Sequence, residues 1–389
     1  MNNKSLYDYV KKFGEHSFVA MPFNEVDAAI LSLLSYMNFN DFVPSLDEDG
    51  HDTIFSSIYH KDHEEYLLEG TVTPQFDKKL FRLCVNTKRY GSMHLNYTLN
   101  YFDKEKSVQF FALTYILDND FAVVTYRGTD SSLVGWKEDL MMALEDHIPS
   151  YKIADTYLNE VAKKLKGHPL IVTGHSKGGA LSVYASSNAK KEVQDQIIRV
   201  FDLDGPGFNY ALHDEEGYKR IYKKIFKYIP IDSLIGILLE NRSHTKIVKA
   251  KSFSIFQHTP YNWYVNNTHF AVATKQTKHS LSFSNNMRIF IKQLNEEDKK
   301  SFIDIIFSIL EEAEVHTIFD LSKKIERKMF SAIKSVSSIL KDEKKGAMFK
   351  KVISIFIHVY FQNIGRQIED NTKKEVIAYY DDIEIENNN

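Results

Sequence analysis

Residues 169–180 read "PLIVTGHSKGGA", and this stretch decides the fold. Its first five residues are apolar and β-branched, which predicts a buried strand. The continuation "ALSVYASSNAKKEV", residues 180–193, has helical spacing and good helix formers. Ser176 therefore stands on a turn between a strand and a helix.

The spacing around this serine is Gly-X-Ser-X-Gly, over residues 174–178. A strand that stops at such a sequence forces its serine into a strained conformation at the top of a sheet, and the glycines let strand and helix approach closely. The helix would point its N-terminal amides at the same spot. The other interpretation is an ordinary turn whose serine caps the helix. The strand-turn-helix context favours the first, a nucleophile elbow.

Strand and helix patterns alternate over residues 108–258. Residues 108–127 hold two β-rich runs around the turn residues 118–120 and predict a hairpin. Later strands are predicted in "IVTG", "IRVFDLD" and "KIVKAKSFSIF", the last covering residues 246–256. An amphipathic helix is predicted in "FNEVDAAILSLLSYMNF", residues 23–39. This order predicts an α/β-hydrolase type of sheet with helices on its faces.

Beyond residue 283 the pattern becomes helical and nearly free of Pro and Gly. We therefore predict a hydrolase domain with an N-terminal helical segment over residues 1–282 and an α-helical C-terminal region over residues 283–389. Within that region, residues 321–351 are strongly basic.

Composition limits the classes of function. The chain has 389 residues, 43% of them hydrophobic, and a net charge of -3, which gives no general argument for nucleic-acid binding. Cys84, the one cysteine, has no partner for a disulfide and no neighbours that make a metal site, so we expect it to be buried. No metal and no cofactor is predicted.

The N-terminus breaks its apolar residues with charges and lacks the continuous core of a signal peptide. The longest apolar runs are about half of the ~18 to 20 residues that span a membrane. A cytoplasmic protein is expected.

A serine nucleophile needs a base and an acid, which follow it along the chain in this type of fold. The favoured base is His258, in "QHTPYNW", after the predicted strand "SFSIF". His175 adjoins the serine, so its side chain should point elsewhere, and His244 and His269 are weaker candidates.

The favoured acid is Asp232, in "YIPIDSLIGILLE", and its competing role is a helix N-cap. Asp204, in "DLDGPGF", directly follows a strand and is the alternative, although Asp-Gly-Pro-Gly is also a plain turn. In "VVTYRGTD" the amide of Thr129 is expected to face the same oxygen as the amide of Lys177, which would form an oxyanion hole.

Four motifs in this order, "YRGTDSSLVGWKEDL", "VTGHSKGG", "DLDGPGF" and "QHTPYNW", resemble the class 3, fungal-type lipase superfamily, and more closely a bacterial, phospholipase A1-like branch of it. The resemblance covers roughly residues 18–315. It implies Ser176 as nucleophile, His258 as base and Asp232 as acid, with oxyanion donors at Thr129 and Lys177. It also implies a movable lid over residues 130–144, "DSSLVGWKEDLMMAL".

The chain departs from the secreted lipases of that superfamily in having no signal peptide, no disulfide, and a lysine after the serine. The expected function is hydrolysis of carboxylic esters, with a fatty acyl ester or phospholipid as substrate. Residues 321–351 would either attract an anionic membrane surface or form only the solvated face of a helix. A small-acyl esterase or thioesterase and a non-catalytic binding protein are the alternatives.

Overall fold

The structure is a computed structural model that describes residues 4–48, 51–117 and 121–312, together with 317, 346–347, 349–352 and 354. Its centre is a mixed sheet of nine strands in the order β1-β2-β3-β4-β5-β6-β7-β8-β11 within the described residues, beside a separate pair formed by β9 and β10. The strands are β1 Thr53–Ile54, β2 His94–Asp103, β3 Val108–Ile116, β4 Ala122–Tyr126, β5 Leu170–His175, β6 Ile197–Leu203, β7 Ile225–Pro230, β8 His244–Val248, β9 Val265–Asn266, β10 His269–Phe270 and β11 Val272–Ala273.

Strands β4 to β8 are parallel to one another, whereas β1 to β4 and the pair β8 and β11 are antiparallel. The connections from β4 to β7 contain helices, as parallel crossovers usually do, whereas residues 231–243 join β7 to β8 without a helix. The helices are α1 Leu6–Phe13, α2 Glu25–Leu34, α3 Glu64–Leu67, α4 Pro74–Val85, α5 Lys88–Gly91, α6 Leu133–Leu144, α7 Pro149–Lys164, α8 Lys177–Asn188, α9 Lys191–Gln196, α10 Glu216–Ile221, α11 Lys278–Gln293 and α12 Glu296–Glu312.

The sheet is covered on both faces. Along β3, Phe111 and Leu113 pack into one core with α1, α2 and α4, while Phe110 and Ala112 pack into the other with α7, α8 and α10. This alternation follows from the two-residue period of a strand. Because both faces of the sheet are covered, the central strands are almost continuously apolar. The predicted α/β class is thereby confirmed.

The predicted hairpin of residues 108–127 is present, because β3 and β4 pair antiparallel; its turn, residues 118–120, lies outside the described residues. The predicted amphipathic helix is α2, but all of its ten residues are buried. One side packs against the sheet, where the Ser32 and Thr173 hydroxyls lie 3.1 Å apart. Its other side is covered by α1 and α4. The predicted helix is therefore present and is buried on both sides.

The strand predicted over residues 246–256 ends much earlier. Strand β8 stops at Val248, Ser252 and Ser254 have positive φ angles of 70° and 52°, and a 3₁₀ helix covers Ser254–Gln257. The alternating apolar residues Phe253, Ile255 and Phe256 suggested a buried strand, yet 67%, 46% and 58% of their surfaces are exposed.

A third core joins α6, α11 and α12 through Leu144, Phe290 and Phe307. The predicted boundary at residues 282 and 283 falls inside α11, and most of the predicted helical region, including nearly all of the basic segment 321–351, lies outside the described residues. Cys84 is fully buried, as expected. Within the described residues, no helix is both long and apolar enough to cross a membrane.

Candidate active site

Ser176 lies between β5 and α8, with φ 60° and ψ -131°. This backbone conformation is unfavourable for a residue with a side chain, and such strain is concentrated at functional sites. Ser176 is partly exposed, whereas residues 170–175 and 177–180 around it are buried. The turn therefore presents this one residue at the carboxyl end of a buried strand.

Glycines make the turn sterically feasible. A Cβ atom on Gly174 would lie 2.2 Å from the backbone of Gly178, and a Cβ on Gly178 would lie 2.1 Å from the carbonyl oxygen of Tyr126. Strand β5, helix α8 and strand β4 thus meet with no room for a side chain at either position. The Gly-X-Ser-X-Gly spacing of the sequence has this geometric cause.

His258 pairs with Asp204. The imidazole Nδ1 lies 2.7 Å from Asp204 Oδ2, and since a carboxylate can only accept, Nδ1 donates. The second oxygen, Oδ1, accepts from the Ser233 hydroxyl at 2.6 Å and the Gly236 amide at 3.1 Å. Asp204 is completely buried, while 21% of the His258 side chain is exposed. The pairing leaves Nε2 of the neutral ring as the nitrogen with a free lone pair.

Asp232, the favoured acid of the sequence analysis, does not contact His258 through any described hydrogen bond. Its carboxylate accepts from the Ser254 amide at 2.7 Å, from the Thr277 hydroxyl, and from His279 at 3.2 Å. Burial raises its pKa, but the hydrogen bonds from Thr277 and Ser254 outweigh this and hold the pKa below its ordinary value. Asp232 therefore fixes the loop before His258 to the start of α11, and the choice of Asp232 over Asp204 as the partner of His258 was wrong.

Backbone contacts place Ser176 beside Asp204, the residue that binds His258. The Ser176 amide donates to the carbonyl of Leu203 at 3.0 Å, and Leu203 directly precedes Asp204. A Cβ on Gly205 would lie 2.8 Å from the carbonyl oxygen of Ser176. Strands β5 and β6 are parallel neighbours, so their carboxyl ends, which carry the serine and the aspartate, meet at one edge of the sheet.

His175 supports the position of His258 through hydrogen bonds. Its Nε2 lies 2.9 Å from the carbonyl oxygen of His258 and its Nδ1 lies 3.0 Å from the Tyr36 hydroxyl. Because a carbonyl only accepts, Nε2 carries the proton and Nδ1 accepts from Tyr36. Burial, with a smaller effect of His258, holds the pKa of His175 well below its ordinary value. As predicted, this side chain points away from the nucleophile position.

Thr129 follows the end of β4, next to the turn that holds Ser176. Its hydroxyl donates to Asp139 Oδ1 and Oδ2, both at 2.6 Å. Desolvation raises the pKa of Asp139 to about 6, against the opposing effects of Lys177 and of this hydrogen bond. A Cβ on the preceding Gly128 would lie 2.0 Å from the Tyr36 hydroxyl, so only glycine fits there.

Lys177 turns its side chain into the protein. The ammonium donates to Glu138 Oε2 at 2.8 Å and to the carbonyl and side-chain oxygens of Gln109 at 2.7 and 2.9 Å. Both charged side chains are fully buried. The remaining oxygen of Glu138 accepts from Ser150 at the start of α7. Sequence reasoning identified the Lys177 amide but missed this ion pair, since nothing in the local pattern marks Glu138 as buried.

In the described part of the chain, no hydrogen bond occupies the backbone N–H of Thr129 or of Lys177. Thr129 and Lys177 are both buried, with 9% and 1% of their surfaces exposed. Unused amides beside a strained serine are the donors from which an oxyanion hole is built.

The segment predicted as a lid forms α6, which is held on two sides. Glu138 and Asp139 bind Lys177 and Thr129, and Leu140 and Met141 pack against the core of α11 and α12. Trp136, in the same segment, is 44% exposed.

The other histidine candidates lie elsewhere. His244 is exposed on β8 with its ring centroid 4.8 Å from that of Tyr222, and His269 contacts Glu25 at 2.9 Å. No group of three or more His, Cys, Asp or Glu residues suited to a metal ion occurs within the described ranges.

Comparisons with known proteins give one family. Residues 84–308 match the model of the family described as Mbeg1-like. No curated protein sequence matches the chain.

Solved structures with a similar arrangement are distant. They include a structure described as fungal lipases (12% identity, TM-score 0.38, covering 65% of this chain and 87% of the other) and the MDLA protein of Penicillium cyclopium (11%, 0.35, 59% and 81%). A third is the Rhizomucor miehei lipase propeptide complex (11%, 0.30, 49% and 65%), of which this chain spans less than two thirds.

Proposed function

We propose that this chain, which belongs to the Mbeg1-like family, is a serine hydrolase that cleaves carboxylic esters through Ser176, His258 and Asp204. The observation that carries the proposal is the 2.7 Å contact between His258 and the buried Asp204, next to a serine held in a strained turn. A base with its orienting acid and a nucleophile at a sheet edge are the parts that acyl transfer needs.

In the proposed reaction the Ser176 oxygen attacks the acyl carbon while His258 Nε2 takes the hydroxyl proton. Asp204 keeps the imidazole in the tautomer that accepts at Nε2 and stabilises its charged form. The amides of Thr129 and Lys177 donate to the tetrahedral oxygen. His258 then returns the proton to the departing alcohol, which leaves an acyl ester on Ser176. Water, deprotonated by the same histidine, cleaves that ester and releases the acid.

The test of the nucleophile is labelling by a fluorophosphonate probe, with Ser176→Ala and a control, Ser92→Ala. Ser92 is exposed, and its hydroxyl binds the carbonyl of Lys88. Wild type and Ser92→Ala should label equally, and Ser176→Ala should not label. Equal labelling of all three proteins would remove Ser176 from this role, and no labelling of folded wild type would favour a non-catalytic binding protein.

Within this class we propose a fatty acyl ester, including a phospholipid, as the substrate. The support is the exposed apolar surface of residues 253–256 just before His258. Hydrolysis of p-nitrophenyl esters of graded length should therefore increase from acetyl to octanoyl. A maximum at acetyl that falls with every added carbon would instead indicate a small-acyl esterase.

A further inference from the structure

An exposed apolar turn lies immediately before His258 in the chain. We name Phe253, Ile255 and Phe256 the apolar tip; the ring centroids of the two phenylalanines are 5.6 Å apart, edge to face. Exposures of 67%, 46% and 58% are high for side chains of this size. Clustered exposed aromatic and aliphatic side chains mark a surface that binds a partner or a membrane.

Backbone turns and a hydrogen bond fix the conformation of the apolar tip. Ser252 and Ser254 adopt positive φ angles, and the Ser254 amide donates to Asp232 at 2.7 Å. Asp232 also accepts from Thr277, the N-cap of α11, and is itself only 8% exposed. One buried carboxylate therefore fixes the tip against the start of α11, where Leu281 adds a further 52% exposed apolar side chain.

The exposed charged side chains near the tip in the sequence have one sign, and the carboxylate of Asp232, which binds Ser254, is buried. No Asp or Glu occurs between Asn241 and Asn295. Exposed lysines, which we name the basic ring, stand close to the tip in the sequence or flank Thr277: Lys249, Lys251, Lys275 and Lys278. Within the described residues none of these four lysines takes part in an ion pair. Exposed cations near an exposed apolar cluster in the sequence favour an anionic lipid surface, since the lysines would contact headgroups while the aromatic side chains enter the acyl boundary.

We infer that the apolar tip and the basic ring dock the protein on an anionic lipid bilayer. The tip immediately precedes His258 in the chain, so docking would bring the proposed active site near the surface that holds acyl esters. The inference rests on the proposed function for the identity of the substrate, but not for the binding itself. It differs from the contact expected of residues 321–351, because it uses described residues on the loop between β8 and β9 and near the start of α11.

Co-sedimentation tests the docking. Ser176→Ala protein is used throughout so that lipid is not consumed, with vesicles of phosphatidylcholine alone or with 30% phosphatidylserine. Phe253→Ser with Phe256→Ser should lower binding to the anionic vesicles at least tenfold. Lys251→Gln with Lys278→Gln should lower it roughly tenfold and reduce its salt sensitivity. The matched control is Phe102→Ser, another exposed aromatic (55%), on β2, which should bind as its parent does.

A second measurement, tryptophan emission, gives a positive signal on binding. It prevents a variant that fails to fold from being mistaken for one that fails to bind. Phe253→Trp in a Trp136→Phe background should shift its emission to the blue with anionic vesicles and be quenched by brominated lipid. Unchanged emission, or binding by the double phenylalanine variant equal to its parent, would overturn the inference. So would self-association that depends on Phe253 and Phe256 without vesicle binding, which would identify a second copy as the occupant.

The two proposals fail separately. If Ser176-dependent hydrolysis of soluble esters is present but vesicle binding is absent, the docking inference fails and the proposed function stands. If the tip binds vesicles and Ser176 neither labels nor supports hydrolysis, the docking surface stands and the proposed function fails.

Discussion

At the scale of single residues, the main question is which aspartate orients His258. Asp204 contacts His258, whereas Asp232 fixes the neighbouring loop to α11. We expect Asp204→Asn to lower kcat on p-nitrophenyl esters on the order of 10⁴-fold, because the imidazole would adopt the wrong tautomer. Asp232→Asn should lower the Tm but change kcat less than tenfold. Inactivation by Asp232→Asn with a nearly normal Asp204→Asn would reverse the assignment.

His175 makes stability depend on pH with a predictable sign. Its folded pKa lies well below its ordinary value, so below about pH 6.5 the unfolded chain binds a proton that the folded chain excludes. This group should therefore lower the free energy of unfolding by up to about 1.4 kcal/mol per pH unit as the pH falls from about 6.5 toward that lower pKa.

The comparison for His175 is His175→Gln, whose amide can donate to the His258 carbonyl and accept from Tyr36 without titrating. Urea unfolding of both proteins between pH 7.5 and 4.5 should give a shallower pH dependence for the variant. Identical slopes would show that His175 is protonated in the folded protein.

At the scale of elements, the Lys177–Glu138 pair links the elbow, between β5 and α8, to α6. Removing one member leaves a buried charge without its partner. Glu138→Gln should lower the free energy of unfolding by about 3 kcal/mol or more. The double variant Lys177→Met, Glu138→Leu should lose less stability than the sum of the losses in Lys177→Met alone and Glu138→Leu alone. Strict additivity in urea unfolding would show that the two residues do not interact.

Elements with a strong local pattern were predictable from sequence. The hairpin of β3 and β4 and the turn at Ser176 follow from apolar runs, turn residues and glycine spacing, which act within a few residues. The loop at Phe253 was not predictable, because its pattern of apolar and polar residues is that of a buried strand. Ser252 and Ser254, which have positive φ angles, turn the loop outward. The partner of His258 was predicted wrongly, because it depends on which strand lies beside β5, a contact between distant segments.

At the scale of the whole molecule, α11 and α12 share a core with α6 rather than standing apart. Phe290, 3% exposed, lies in that core. Phe290→Ala should lower the free energy of unfolding by about 3 to 5 kcal/mol in a single transition, because truncation leaves a cavity. Phe102→Ala, at an exposed position, should change it little. Two separate transitions, with Phe290→Ala affecting one alone, would instead define an independent C-terminal domain.

The complete burial of α2 has a consequence for the timing of synthesis. Ser32 on this helix meets Thr173 on β5, a partner 141 positions later in the chain. At roughly 5 to 20 residues per second, the ribosome needs about 7 to 28 seconds to make the intervening chain. During that time a helix whose residues are all buried in the folded protein has no strand to cover it. We therefore expect the nascent chain to bind chaperones that recognise apolar segments until residues 170–175 have emerged.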